Sequence, residues 1–237
     1  MVLAERDFVA YHCSHWAVLA LTVLGAAGLI WLGRAAPPRV TVPSWRVLAV
    51  VIVALNVAME AYRFRPSNLG QSLPLQLSDL APYAAGFALW TRRRRASALT
   101  YYWGLTLSIQ ALLTPVLSGP DFPNPNFIAF FAIHVLVVWA AIFLTWGVRL
   151  RQSWAGYRFT VVLTGCWAAA MFVVNRYAGS NYGFLNAKPS TGSLLDLLGP
   201  WPWYLLPEFA LVLAAWALMT LPWASARVRD QSESLKP

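Results

Sequence analysis

Seven apolar runs, each long enough to cross a bilayer, occupy most of this 237-residue chain, at approximately 16–32, 47–64, 73–90, 98–117, 127–146, 159–177 and 203–223. A helix needs about 20 apolar residues to cross the hydrocarbon core, and only helices or closed barrels satisfy their backbone there. The chain therefore reads as an all-α polytopic membrane protein, a seven-transmembrane-helix bundle. Charged residues make up 11%, against the 25% or so of a soluble domain. The short linkers predict one membrane domain over 1–223, followed by a hydrophilic, disordered cytoplasmic tail over 224–237. The first run reads as a retained span and not a cleaved signal, because no basic stretch precedes it and its basic residues follow it.

The net charge of +9 would suggest nucleic acid in a soluble protein, but its distribution speaks of topology instead. Taking alternate loops as two sides, thirteen Lys and Arg residues fall on one side, including Arg34, Arg46, Arg92 to Arg95 and Arg149. Five fall on the other: Arg6, Arg63, Arg65, Arg176 and Lys188. The positive-inside rule puts the richer side in the cytoplasm, with the N-terminus outside and the C-terminus inside. Arg92–Arg95 reads as a topology anchor in preference to a patch for lipid phosphate or nucleic acid, and no nucleic-acid partner is expected. The expected location is the cell membrane, as a multi-pass protein.

Polar residues then fall by depth. The stretch 66–83, PSNLGQSLPLQLSDLAPY, is the most polar opening of any span. Read as a helix from about Leu73, it sets Ser72, Gln76, Asp79 and Tyr83 on one face, with Ser78 roughly 160° away. Pro74 falls in the first turn and Pro82 inside. The second run carries Asn56, Glu60 and Arg63 on one face, with Glu60 and Arg63 spaced to pair. The fourth carries Thr106, Gln110 and Thr114; the fifth His134; the sixth ends on Asn175 and Arg176; Glu208 opens the seventh. Every ionisable residue within a span lies in the outer half. Because intramembrane charge is costly and normally faces a bundle interior or wet cavity, the pattern predicts one polar cavity opening outward. The long loop 179–201 is apolar enough to pack on the membrane as a lid.

Cys13 and Cys166 are expected to lie too far apart for a disulfide. His12, Cys13 and His15 lack a fourth ligand at a sensible spacing, so no metal and no cofactor is expected, and the segment reads as a polar interfacial lead-in to the first span. There is no P-loop, GxSxG or HExxH sequence.

The run Pro74-Leu75-Gln76-Leu77-Ser78-Asp79 resembles the "LPLHLC"-type motif of YwaF-like bacterial integral membrane proteins. The stretch Asn181-Tyr182-Gly183-Phe184-Leu185, with Lys188-Pro189, Leu195-Asp196 and Gly199-Pro200-Trp201-Pro202-Trp203-Tyr204, is similar to that family's second signature. These proteins are similar to the transmembrane protein 164 family, whose animal members are linked to lipid acyl transfer through a cysteine and a histidine. Here Gln76 stands where the motif usually has histidine and Ser78 where it often has cysteine, which removes the thiol nucleophile. His134 is the candidate for the later histidine.

Two functional classes follow. In the first, an outer-leaflet lipid acyltransferase or hydrolase, Ser78 is the nucleophile, His134 the base and Asp79 or Glu60 its orienter. Arg63, Arg176 or Lys188 would hold a lipid phosphate; Glu60, Gln76, Gln110 and Asn175 complete the substrate-binding set. In the second, the same residues capture a small polar or amphipathic solute for binding or transport. A non-catalytic scaffold is the third reading. Membrane lipids are the expected partners, and no protein partner is assigned.

Overall fold

The computed structural model describes residues 6–189 and 194–234. The chain is all-α among these residues. Five helices are long and apolar enough to cross a membrane, at Cys13–Ala35, Pro43–Arg63, Pro125–Gly147, Trp154–Ala178 and Leu205–Ser225. It divides into two compact units where the sequence predicts one domain. The first comprises Met1–Arg63 and Leu77–Leu150, the second Phe64–Gln76 and Arg151–Pro237.

In the first unit, α1 (Cys13–Ala35) runs unbroken until Ala36 turns extended, ahead of two prolines that cannot continue it. Helix α2 spans Pro38–Arg63. After it come Pro66–Asn68, a 3-10 turn, and α3 (Leu69–Ser72), both in the second unit. Here the structure corrects the sequence reading. No helix starts at Leu73; that residue is extended (ψ 139°), as the residue before a proline prefers to be. Helix α4 begins only at Leu77 and ends at Thr91. Ser72 and Gln76 therefore do not continue the face of Asp79 and Tyr83, and Pro74 lies in the connection, outside any first turn. Pro82 sits inside α4 as expected.

Helices α5 (Arg94–Trp103) and α6 (Ile109–Leu113) are joined by a π-helical turn over Gly104–Ser108. Helix α7 (Pro125–Ile142) opens on Asn124, whose side chain accepts from the Asn126 N–H, with Pro125 following. It closes in a second π turn, Phe143–Gly147. This helix is the axis of the unit. Phe127, Phe131, Val135 and Val138 are buried on it, with Leu112 of α6 in the same cluster. Small residues let neighbours close in on it. A side chain on Gly25 of α1 would collide with the Trp139 ring, whose Nε1–H donates to the Thr22 carbonyl at 2.9 Å. A Cβ on Gly33 would come within 2.7 Å of Gly147, and one on Gly86 of α4 within 2.5 Å of Val53 on α2.

In the second unit, α8 (Trp154–Ala178) opens on Ser153, which accepts from the Gly156 N–H, and stops at Gly179 in the left-handed conformation (φ 62°). Ala168 and Met171 of α8 bury against Tyr182 and Leu185 of the following loop. Helix α9 covers Leu205–Ser234. With no glycine or proline between Pro222 and Ser234 it continues past 223, so the stretch read as a tail is helical as far as 234, and 235–237 lie outside the described residues.

Candidate functional site

The polar groups of the first unit converge where α2 ends and α4 begins. Asn56 and Glu60 share a face of α2, as their spacing predicts. Asn56 is buried; its Nδ2–H donates to Glu60 Oε1 at 2.7 Å and to the backbone carbonyl of Asp79 at 3.3 Å. The Tyr83 hydroxyl donates to Glu60 Oε2. The expected Glu60–Arg63 ion pair is therefore not what holds this carboxylate. Both of its oxygens are taken by Asn56 and Tyr83, while Arg63, the last residue of α2, is exposed. A carboxylate with a hydrogen bond on each oxygen is the affordable way to place a charge in an apolar segment.

His134 lies on α7, buried at 9% exposure. It meets the Phe130 ring edge-on, 4.8 Å between centroids. Among the described residues its imidazole makes no hydrogen bond. Ser78 is exposed in the first turn of α4, next to half-buried Asp79. No hydrogen bond among the described residues joins Ser78 to His134. Gln110 is exposed on α6, where Thr114 bonds back to the Gln110 carbonyl.

The remaining candidates belong to the second unit, and most are occupied in shaping its loop. Gln76 Oε1 accepts from the Gly183 N–H at 2.9 Å. Asn175, buried at 2%, donates to the Tyr182 carbonyl and to Asn186 Oδ1, while its own Oδ1 accepts from Ser180 and from the Tyr182 N–H. Asn181 repeats the device for Asn186 and Ala187. The Tyr182 hydroxyl reaches the Leu73 carbonyl, and the Trp167 indole the Leu75 carbonyl, both at 3.0 Å. Lys188 pairs with Asp196 at 3.7 Å and lies 5.6 Å from the Tyr204 ring centroid. Arg176 is exposed. Glu208 Oε2 is buried with no hydrogen-bond partner among the described residues. Sequence reasoning missed the Asn181–Asn186 clasp; the available signal was four amide or hydroxyl residues, Asn175, Ser180, Asn181 and Asn186, within twelve positions.

His15 is part of neither cluster. It is fully buried; its Nδ1 accepts from the Tyr11 N–H at 2.8 Å and its Nε2 donates to the Leu112 carbonyl at 2.7 Å. The lead-in to α1 is thus anchored in the core and not merely interfacial. His12 and Cys13 beside it are exposed, and both cysteines are free thiols. Among the described residues no group of three or more His, Cys, Asp or Glu could hold a metal ion.

The model of the TMEM164 family matches residues 10–220. No curated protein and no solved structure matches the chain.

Proposed function

The chain belongs to the TMEM164 family, and from that premise we propose that it moves fatty-acyl groups between membrane lipids, or from a lipid to water, in the outer leaflet. The observation that carries the reading is His134: a buried imidazole whose nitrogens no described residue occupies, on the helix at the axis of the first unit.

In this reading Ser78 attacks the ester carbonyl of the donor lipid while His134 takes the hydroxyl proton. The tetrahedral oxyanion collapses, the C–O bond to the glycerol breaks, and the imidazolium returns its proton to the departing lysolipid alcohol. A second hydroxyl, from a lysolipid or water, then repeats the sequence on the acyl-serine. Ser78 stands in the first turn of α4, where unpaired backbone N–H groups and the positive helix end favour developing negative charge. Glu60 and Asp79 supply the carboxylates beside it, and Arg63 the cation for a lipid phosphate. Gln76 and Asn175 shape the loop of the second unit, which carries the cations Arg176 and Lys188. Gln110 is kept as a substrate contact.

The topology proposed with this function is seven crossings, with the N-terminus outside, the C-terminus in the cytoplasm, and a polar cavity open to the outer leaflet. The charge asymmetry supports it. Beyond the five long helices it requires crossings at α4, whose 15 residues span about 22 Å, and over 94–113, about 30 Å.

The test is acyl movement in lipid nanodiscs, followed by mass spectrometry with a labelled phospholipid and a lysolipid acceptor. Transfer that disappears in His134→Ala and Ser78→Ala supports the full assignment. Transfer that survives Ser78→Ala makes His134 the base for the acceptor hydroxyl itself. No transfer across a broad lipid panel overturns the enzyme and favours solute capture.

A further inference from the structure

The end of the first unit remote from Glu60 and Asp79 carries five exposed arginines: Arg46 on α2, Arg92 and Arg93 between α4 and α5, and Arg94 and Arg95 in the first turn of α5. Glu60 lies 14 residues along α2 from Arg46, and Asp79 lies 13 residues along α4 from Arg92. At 1.5 Å per residue each carboxylate is about 20 Å away.

These arginines are placed with more care than a charge count demands. The Arg92 guanidinium lies 3.4 Å from the centroid of the Trp45 ring, and that of Arg46 lies 5.4 Å from the Trp90 ring. The pairs cross: α2 lends Trp45 to Arg92, the residue after α4, and α4 lends Trp90 to Arg46 of α2. Trp45 is itself buried against the Phe143 ring at 5.7 Å. Arg93 lies over Phe87 at 5.9 Å. A guanidinium drawn to an aromatic ring keeps N–H groups for phosphate oxygens, which it can meet two at a time. Arg92 reaches Trp45 from a left-handed backbone (φ 52°), a conformation a non-glycine residue adopts at a cost.

The start of α5 is left open to an anion as well. Its N-cap is Arg93, which makes no side-chain cap, and its first turn holds Arg94 and Arg95 with no acid. Like charges thus sit on the positive end of the helix, where they are unfavourable. Ser97, one turn further in, buries its hydroxyl without a hydrogen-bond partner among the described residues. A basic run that only sets topology needs charge; it needs neither crossed stacking nor strained backbone nor an uncapped helix start.

We propose that this end of the bundle binds the phosphate of an anionic phospholipid headgroup, with Arg46 and Arg92 as the stacked fork and Arg93, Arg94 and the α5 start completing the cradle. A lipid is favoured over free phosphate because Phe87 and Trp90, 50% and 53% exposed, lie directly beside the guanidiniums and give acyl chains an apolar surface. The site does not depend on the acyl-transfer reading, since it lies at the opposite end of α2 and α4 from the candidate catalytic groups.

The test is native mass spectrometry of the full chain released from nanodiscs of mixed phosphatidylglycerol and phosphatidylcholine. The wild type is expected to retain phosphatidylglycerol over phosphatidylcholine by about tenfold, as a basic cluster does for anionic lipid. Arg92→Gln/Arg93→Gln should bring the two lipids to parity, while Arg149→Gln/Arg158→Gln, which removes the same charge elsewhere, should leave the preference standing. Arg93→Gln/Arg94→Gln keeps the Trp45 contact intact and should lower the preference by about threefold, which guards against a merely structural effect of Arg92. No preference in the wild type, or an equal loss in the control pair, overturns the site. Displacement of the lipid by millimolar inorganic phosphate would assign the cradle to free phosphate and overturn the lipid.

Discussion

His15 and His134 are both buried in the first unit, yet their surroundings differ in kind. Around His15 the chain has spent everything the ring offers: one nitrogen accepts from Tyr11, the other donates to Leu112, and Phe8, Tyr11 and Phe131 pack on its faces and edges. Around His134 the walls are apolar, Phe130 meets the ring edge-on, and no described residue takes either nitrogen. The first arrangement ties the lead-in segment to the end of α6 across 97 residues of sequence. In the function proposed above, the second is the base that meets the substrate hydroxyl. Burial alone does not distinguish a structural histidine from a chemical one; the account of its two nitrogens does.

The sharpest way to break this contrast is His134→Ala. It should lower acyl transfer by about 10²–10⁴-fold, the usual worth of a general base, with little change in melting temperature in detergent. A large fall in melting temperature would make His134 a packing residue after all. His15→Ala should do the reverse, costing roughly 2–5 kcal/mol of stability by orphaning the Tyr11 N–H and Leu112 carbonyl in a cavity, with turnover per folded molecule unchanged. Tyr83→Phe tests whether the Glu60 carboxylate is fastened as described. Losing a hydrogen bond to a charged group should cost roughly 1.5–3 kcal/mol by thermal melting. Gln110→Ala, at an exposed position, should shift stability by less than about 0.5 kcal/mol, leaving any change in transfer to be read as a substrate contact.

The long spans were legible because length and apolar character alone decide them: the runs at 16–32, 47–64, 127–146, 159–177 and 203–223 each coincide with a helix long enough to cross. The third run was misread at its start for a local reason. Pro74 suits a helix first turn, but it also pushes Leu73 into an extended conformation, and the second effect won. That single choice separated Gln76 from Asp79. The π turn at Gly104–Ser108 has no period that the sequence displays. Partner choice was the least legible layer. Glu60 has Arg63 at a pairing distance along its own helix, yet the Tyr83 hydroxyl, supplied by α4, took the oxygen. Nothing in the spacing of Asn175 announces that it would close a loop.

The segment 64–76 has a consequence for how the protein can be divided. It lies in sequence between two parts of the first unit, but its backbone carbonyls at Leu73 and Leu75 and the carboxamide of Gln76 are spent on Tyr182, Trp167 and Gly183 of the second. A gene cut after codon 150 would thus leave the downstream half without thirteen residues that its own loop is fastened to. Neither unit can be inherited, duplicated or exchanged as one uninterrupted piece. Any recombination event that respects both must carry the small insert along with the distant half, which makes the whole length, and not either unit, the natural parcel of descent.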